Sequence, residues 1–186
     1  MYLPDFDYHS PVTLDEACEI LASLGGEGKV LAGGTDVLSR MKSELIAPKA
    51  LVSLKNIEHM DRIDYVSGKG VVIGAKATHN DLLKSILLQK KYPSIPDAAH
   101  SMANNQIRNR GTVGGNLVNA VPSADLPPIL IALQAEVTLV GSKGRRNWRL
   151  RQISCFLPFP RSCRHDSPAS EDDPRTRTAP QVPPHD

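Results

Sequence analysis

Ile107-Arg108-Asn109-Arg110-Gly111-Thr112-Val113-Gly114-Gly115-Asn116 places three glycines around a hydroxyl and an amide, and Leu31-Ala32-Gly33-Gly34-Thr35-Asp36 carries a second glycine turn far earlier in the chain. Glycine permits positive φ and lets backbone N–H groups approach an anion without a β-carbon in the way. The earlier turn follows the short apolar run Lys29-Val30-Leu31-Ala32 and precedes Val37, Leu38 and Met41 at helical spacing, so its order is strand, glycine turn, helix. Taken alone it reads as a pyrophosphate cradle or simply as a tight turn with Asp36 capping the helix. Two such segments favour a dinucleotide. Neither has the spacing of the Rossmann fingerprint or the lysine of the P-loop, so the site is of another design.

Working outward, Asp5 to Ser10 reads as a short edge strand, and Thr13 with Glu16 forms a capping box opening a helix. Leu14, Ala17, Cys18, Leu21 and Leu24 give that helix one apolar face, and Gly25-Gly26 ends it. Ala50 to Leu54 reads as a buried strand, and the polar stretch Asn56 to Asp61 separates a first unit, residues 1–56, from a second, residues 57–146. In the second unit, Arg62–Val66 and Val71–Gly74 flank a glycine turn as a hairpin. Thr78 and Asp81 form another capping box leading into Leu82, Leu83, Ile86 and Leu87, and Pro93 to Met102 holds a further helix. Residues Arg108 to Asn119 read as a polar glycine-rich loop, Ser123 to Pro128 as a helix start with prolines in its first turn, and Glu136 to Val140 as a strand. The layout is α+β.

Pattern fades after Arg146. From residue 147 to 186, Pro158, Pro160, Pro168, Pro174, Pro180, Pro183 and Pro184 punctuate a stretch rich in Ser, Arg and Asp, which reads as a disordered end or a proline-rich partner-binding tail. The formal charge of +2 is nearly balanced and gives no case for nucleic acid. The start of the chain lacks a signal-peptide pattern and no stretch is apolar for long enough to span a bilayer, so a cytoplasmic location is expected. Cys18, Cys155 and Cys163 are too few for a four-thiolate iron–sulfur cluster, and no histidine–carboxylate set stands at metal-ligand spacing. His79 reads as part of a helix start, and Arg108 and Arg110 flank the second glycine segment either as groups that neutralise phosphate charge or as ordinary surface arginines. No catalytic set can be assigned. Asp125, at a helix start beyond the second glycine segment, either caps that helix or accepts hydrogen bonds from a ribose hydroxyl.

Together with Ala120-Val121-Pro122-Ser123-Ala124-Asp125-Leu126, the two glycine segments resemble the FAD-binding medium subunit of the molybdenum hydroxylases, over residues 1 to 146. The resemblance implies a flavoprotein fold of the vanillyl-alcohol-oxidase (PCMH) type, with a small α/β subdomain ahead of a larger one built on antiparallel strands. FAD would lie between them. Val30, Leu31, Ala32, Gly33, Gly34, Thr35, Asp36 and Val37 would wrap the pyrophosphate, with Thr112, Val113, Gly114, Gly115 and Asn116 as a second cradle. Asp125 would hold the ribitol or ribose side, and Met102 would lie near the adenine-bearing half. By the same resemblance a large subunit carries the molybdenum cofactor, a small subunit carries two 2Fe-2S clusters, and FAD forwards electrons to NAD, oxygen or a quinone. Family members continue into a C-terminal subdomain, which is missing here, as after a frameshift or truncation. Two other readings stand beside this one: a stand-alone flavin reductase of the same fold, and an inactive remnant that holds nucleotide weakly.

Overall fold

A computed structural model describes residues 3–121 and 123–153. Its first unit is built around β3 (Ala50–Ser53), every residue of which is buried. A strand covered on both faces reads as continuous apolar sequence rather than alternation, as Ala50-Leu51-Val52 does. β1 (Asp7–His9) and β2 (Gly28–Leu31) flank it, both parallel, with Tyr8 and Lys29 beside Leu51 and with His9 and Val30 beside Val52. Between β1 and β2 runs α1 (Leu14–Ser23), which sets Ala17 against Val52 and Ile57 with Leu14, Ile20, Leu21 and Leu24 around them. Thr13 Oγ1 accepts the Glu16 N–H at 3.1 Å. The Glu16 carboxylate reaches back one residue further than a capping box requires, to the Val12 N–H at 2.9 Å. Beyond α1, Gly25 and Gly26 take positive φ, the conformation in which glycine ends helices at least cost. α2 (Val37–Lys42) follows β2 across the first glycine turn and buries Met41.

The link to the second unit is tied by Lys76, whose ammonium donates to the carbonyls of Lys55 and Ile57 at 2.9 and 2.7 Å. β4 (Ile63–Val66) and β5 (Gly70–Ile73) form the expected antiparallel hairpin. Helices α3 (His79–Lys84), α4 (Ile86–Lys91), α5 (Ser94–Ser101), α6 (Asn105–Arg108), α7 (Val113–Asn119) and α8 (Leu126–Ala132) follow. A second hairpin, β6 (Glu136–Gly141) and β7 (Gly144–Arg149), closes on the one-turn helix α9 (Leu150–Ile153). Leu82, Leu88, Ile95, Ala99, Met102, Val113, Leu126, Leu130 and Leu150 make one core beneath these helices.

Three features differ from the sequence expectation. The apolar run after Thr78 is two helices: Ser85 takes an extended conformation, and its hydroxyl accepts the Leu88 N–H to start α4. The glycine-rich stretch expected as a loop is largely α7, with α6 ending where it begins, because Asn104 and Thr112 each cap a new helix start. Strand pairing also runs past Arg146, with Asn147, Trp148 and Arg149 opposite Thr138, Val137 and Glu136. β7 is mostly exposed and polar, so hydropathy does not reveal it. The proline-rich residues 154–186 lie outside the described residues.

Candidate functional site: two glycine segments in contact

Gly33 decides how the two units meet. A β-carbon built on Gly33 would sit 1.8 Å from the Arg110 carbonyl oxygen and 3.4 Å from the Gly111 Cα, so only glycine allows the first segment to lie against the second. Gly34 adopts φ +81°, a conformation that side chains rarely take, and so turns the chain from β2 into α2. Along this turn the N–H groups of Gly33, Gly34, Thr35, Asp36 and Val37 donate to no backbone or side-chain acceptor among the described residues. A run of open donors around a positive-φ glycine is suited to an anion with several oxygens. Asp36 does not cap α2 as the sequence suggests. Its carboxylate instead accepts from Asn119 Nδ2 at 2.8 Å and from Thr35 Oγ1 at 3.2 Å, which ties α2 to the far end of α7.

The second segment is built differently. Thr112, almost fully buried, accepts the Gly115 N–H on its hydroxyl at 3.1 Å and the Asn116 N–H on its carbonyl at 2.9 Å. Val113 and Gly114 donate to the carbonyls of Ala77 and Ala75, both at 2.9 Å. A β-carbon on Gly114 would lie 2.9 Å from Ala75 Cβ and its carbonyl oxygen. Gly114 therefore serves close packing against Ala75, and the amides of residues 113–116 are consumed by the protein itself. What this segment leaves open is Asn116 Oδ1, a buried acceptor with no partner among the described residues. Burying such an atom unpaired carries a cost, which a hydroxyl donor from a bound molecule removes.

The remaining expected site residues are dispersed. Val30 stands half-exposed on β2, Leu31 ends that strand, and Ala32 opens the turn. Asp125 precedes α8, is exposed, makes no capping hydrogen bond, and has no side-chain hydrogen-bond partner among the described residues. Met102 ends α5 with its side chain in the larger core at 8% exposure. Arg108 is no free surface arginine: its guanidinium donates to the carbonyls of Met102 and Ala103 at 2.9 and 3.0 Å, satisfying the end of α5. His79 sits first in α3 and is buried. Desolvation, with the Arg108 charge adding to it, holds its pKa below the ordinary value.

Sequence reasoning missed Asn119 and the Ala75–Ala77 template. Small residues at 75 and 77 are the trace that close backbone approach leaves in a sequence; for Asn119 one chain offers no signal. An open cleft of about 600 Å³ beside the linker, lined by Lys55, Glu58, His59, Asp61, Arg62 and Lys76 among others, contains none of these site residues. Among the described residues no group of His, Cys, Asp and Glu could hold a metal ion, and no helix is long and apolar enough to cross a membrane.

A small parallel sheet and a mainly helical unit, touching through a pair of glycine segments with open amides on one and an orphaned acceptor on the other, define an FAD-binding fold of the PCMH type. Residues 4–165 match the family of FAD binding domains in molybdopterin dehydrogenases, and the chain belongs to that family. It is 39% identical over 146 residues to the carbon monoxide dehydrogenase medium chain of Hydrogenophaga pseudoflava, covering 78% of this chain and 50% of the relative. Against the xanthine dehydrogenase FAD-binding subunit of Escherichia coli O157:H7 identity is 32% over 139 residues, covering 75% and 47%. The solved carbon monoxide dehydrogenase from Hydrogenophaga pseudoflava that lacks the Mo-pyranopterin moiety superposes with a TM-score of 0.79 at 37% identity, over 84% of this chain and 53% of that one. The chain thus spans about half the length of these relatives. FAD is the cofactor of this domain.

Proposed function

We propose that this chain binds FAD non-covalently across residues 30–37 and 112–116 and serves as the electron-carrying subunit of a molybdenum-dependent hydroxylase. It receives electrons from 2Fe-2S clusters on a small subunit, beside a large subunit that holds the molybdenum cofactor, and passes them to an acceptor such as NAD or a quinone. It works in the cytoplasm. The observation that carries the reading is the run of N–H groups from Gly33 to Val37 that are unpaired among the described residues, in a turn pressed by Gly33 against Arg110 and Gly111.

Those amides suit the pyrophosphate, where hydrogen bonds to a charged acceptor contribute about 1.5–3 kcal/mol each. Asn116 Oδ1 suits a hydroxyl of the ribityl chain or ribose, and the open Asp125 carboxylate another. Val30 and Leu31 lead the chain into the cradle, and Met102 lies toward the adenine-bearing half. Bound FAD supplies the electron-transfer chemistry, while the protein supplies position and surroundings.

The test is a visible spectrum of the purified chain after incubation with FAD and desalting. A chimera in which the sequence beyond Arg146 is replaced by the C-terminal half of a relative is measured alongside. Retained flavin in the original means that the two segments suffice; flavin in the chimera alone assigns the missing affinity to the other half. No flavin in either, with both folded, refutes the reading. Co-purification with molybdenum and iron–sulfur subunits separates an electron-transfer subunit from a stand-alone reductase.

A further inference from the structure

Residues 75–80 act as a template against which residues 105–114 are laid. Gly114 and Val113 donate to Ala75 and Ala77, and Thr78 bridges Thr112. The His79 N–H donates to the Gly111 carbonyl at 3.1 Å, and Asn80 Nδ2 donates to the side-chain oxygens of Asn105 and Asn109. At the centre of this template the His79 ring, 4% exposed, lies so close under Gly111 that a β-carbon there would be 2.8 Å from Cδ2 and 2.9 Å from Nε2. Nδ1 of the ring is buried without a partner among the described residues, and so is Nε of Arg108.

We propose that His79 is a positioning residue for the flavin site: its neutral ring, wedged beneath Gly111, sets the height of the second glycine segment, and protonating the ring displaces that segment and weakens FAD binding. The inference rests on the FAD reading above. In the protonated ring Nδ1 is a buried donor with no acceptor among the described residues, beside a guanidinium of the same sign. Of the charged groups on the elements packed against His79, Arg108 on α6 is the one that acts on the ring. Asp81 on α3 is held by Thr78, while Lys84 closes α3, Asp97 and His100 belong to α5, and Arg110 precedes the segment. Gly111 carries the displacement onward, because its neighbour Arg110 supplies the carbonyl on which Gly33 rests.

The sign follows from linkage. The folded-state pKa lies below the ordinary 6.5, so the neutral ring's contribution is fully present above 6.5 and is lost as pH falls through the folded value. The pyrophosphate does not titrate in that window, so a loss of affinity there belongs to the protein. FAD affinity is measured from about pH 7.5 down to about pH 5 for the wild type and His79→Phe, whose ring fills the space but cannot titrate. The wild type is expected to lose affinity by up to about tenfold per pH unit once below the folded pKa, and the variant's affinity to stay level across the range. Equal slopes in both, or a level wild type, overturn the proposal. Amide hydrogen exchange of residues 107–116 in the flavin-free chain, corrected for intrinsic rates, is the second readout. Protection lost on acidification in the wild type supports the proposal even if the half-length chain binds no FAD; unchanged protection overturns it. Absence of FAD binding at the higher pH from both this chain and the chimera carrying a relative's C-terminal half, with both folded, counts against the FAD reading instead.

Discussion

Replacing Gly33 with alanine tests the contact between the two segments with one methyl group. The new β-carbon would start 1.8 Å from the Arg110 carbonyl oxygen, where ordinary contact begins at 3.4 Å, so the segments must part by about 1.6 Å. The obstacle is backbone, which cannot swing aside as a side-chain tip can. Overpacking of this kind costs about 1–3 kcal/mol, and the upper end applies because Gly111 behind Arg110 is itself held by the His79 N–H, which donates to its carbonyl. Opening the cleft also withdraws the amides of residues 33–37 from the second segment. Loss of one charge-assisted hydrogen bond to the pyrophosphate then lowers FAD affinity about tenfold to a hundredfold. Urea unfolding monitored by circular dichroism gives the first quantity and flavin titration the second. An unchanged unfolding midpoint together with unchanged FAD affinity in Gly33→Ala would refute the claim that the segments touch there.

Gly34→Val puts a β-branched residue at φ +81° and is expected to lower stability by about 1–3 kcal/mol and to abolish retention of FAD after desalting. Thr112→Ala removes the cap that accepts the Gly115 N–H, and the unfolding free energy should drop by about 1 kcal/mol. Gly115→Ala attacks the same cap from the other side, since its β-carbon would lie 2.9 Å from Thr112 Oγ1; its flavin defect should therefore track its loss of stability. A double-mutant cycle on Asp36→Ala and Asn119→Ala should return a coupling of about 0.5–1.5 kcal/mol, and additive effects would show that the link between α2 and α7 contributes nothing.

Much of the fold was legible because strong local rules operate at its joints. Thr78 and Asp81 form their capping box in full, Gly25-Gly26 ends α1, and the turn before Gly70 joins β4 to β5. Misreadings fall where a residue's role is set by something distant in sequence. Gly114 and Gly115 signal a loop by composition, yet they lie in a helix start, because Ala75 at Gly114 and the Thr112 cap at Gly115 occupy the space a side chain would take. Helix propensity loses there to a tertiary contact. β7 escaped notice because an exposed hairpin strand needs no apolar alternation, and Arg108 was misjudged because the carbonyls it satisfies belong to the end of another helix. Within the candidate site, the strand, glycine turn and helix from Lys29 to Met41 were readable from local pattern. The Asp36–Asn119 bond and the orphaned Asn116 oxygen were not, since both depend on how two units dock.

The most direct test of the site is an amide ¹H–¹⁵N map of the chain with and without FAD. The account predicts that the largest changes fall on Gly33 to Val37, whose N–H groups gain an acceptor, with the side-chain amide of Asn116 shifting as its oxygen is engaged and the amides of Val113 and Gly114 moving least among the glycine-segment signals. A folded chain that binds FAD while Gly33 to Val37 stay unmoved and the changes fall elsewhere, such as around the cleft beside Lys55 and Arg62, would contradict it.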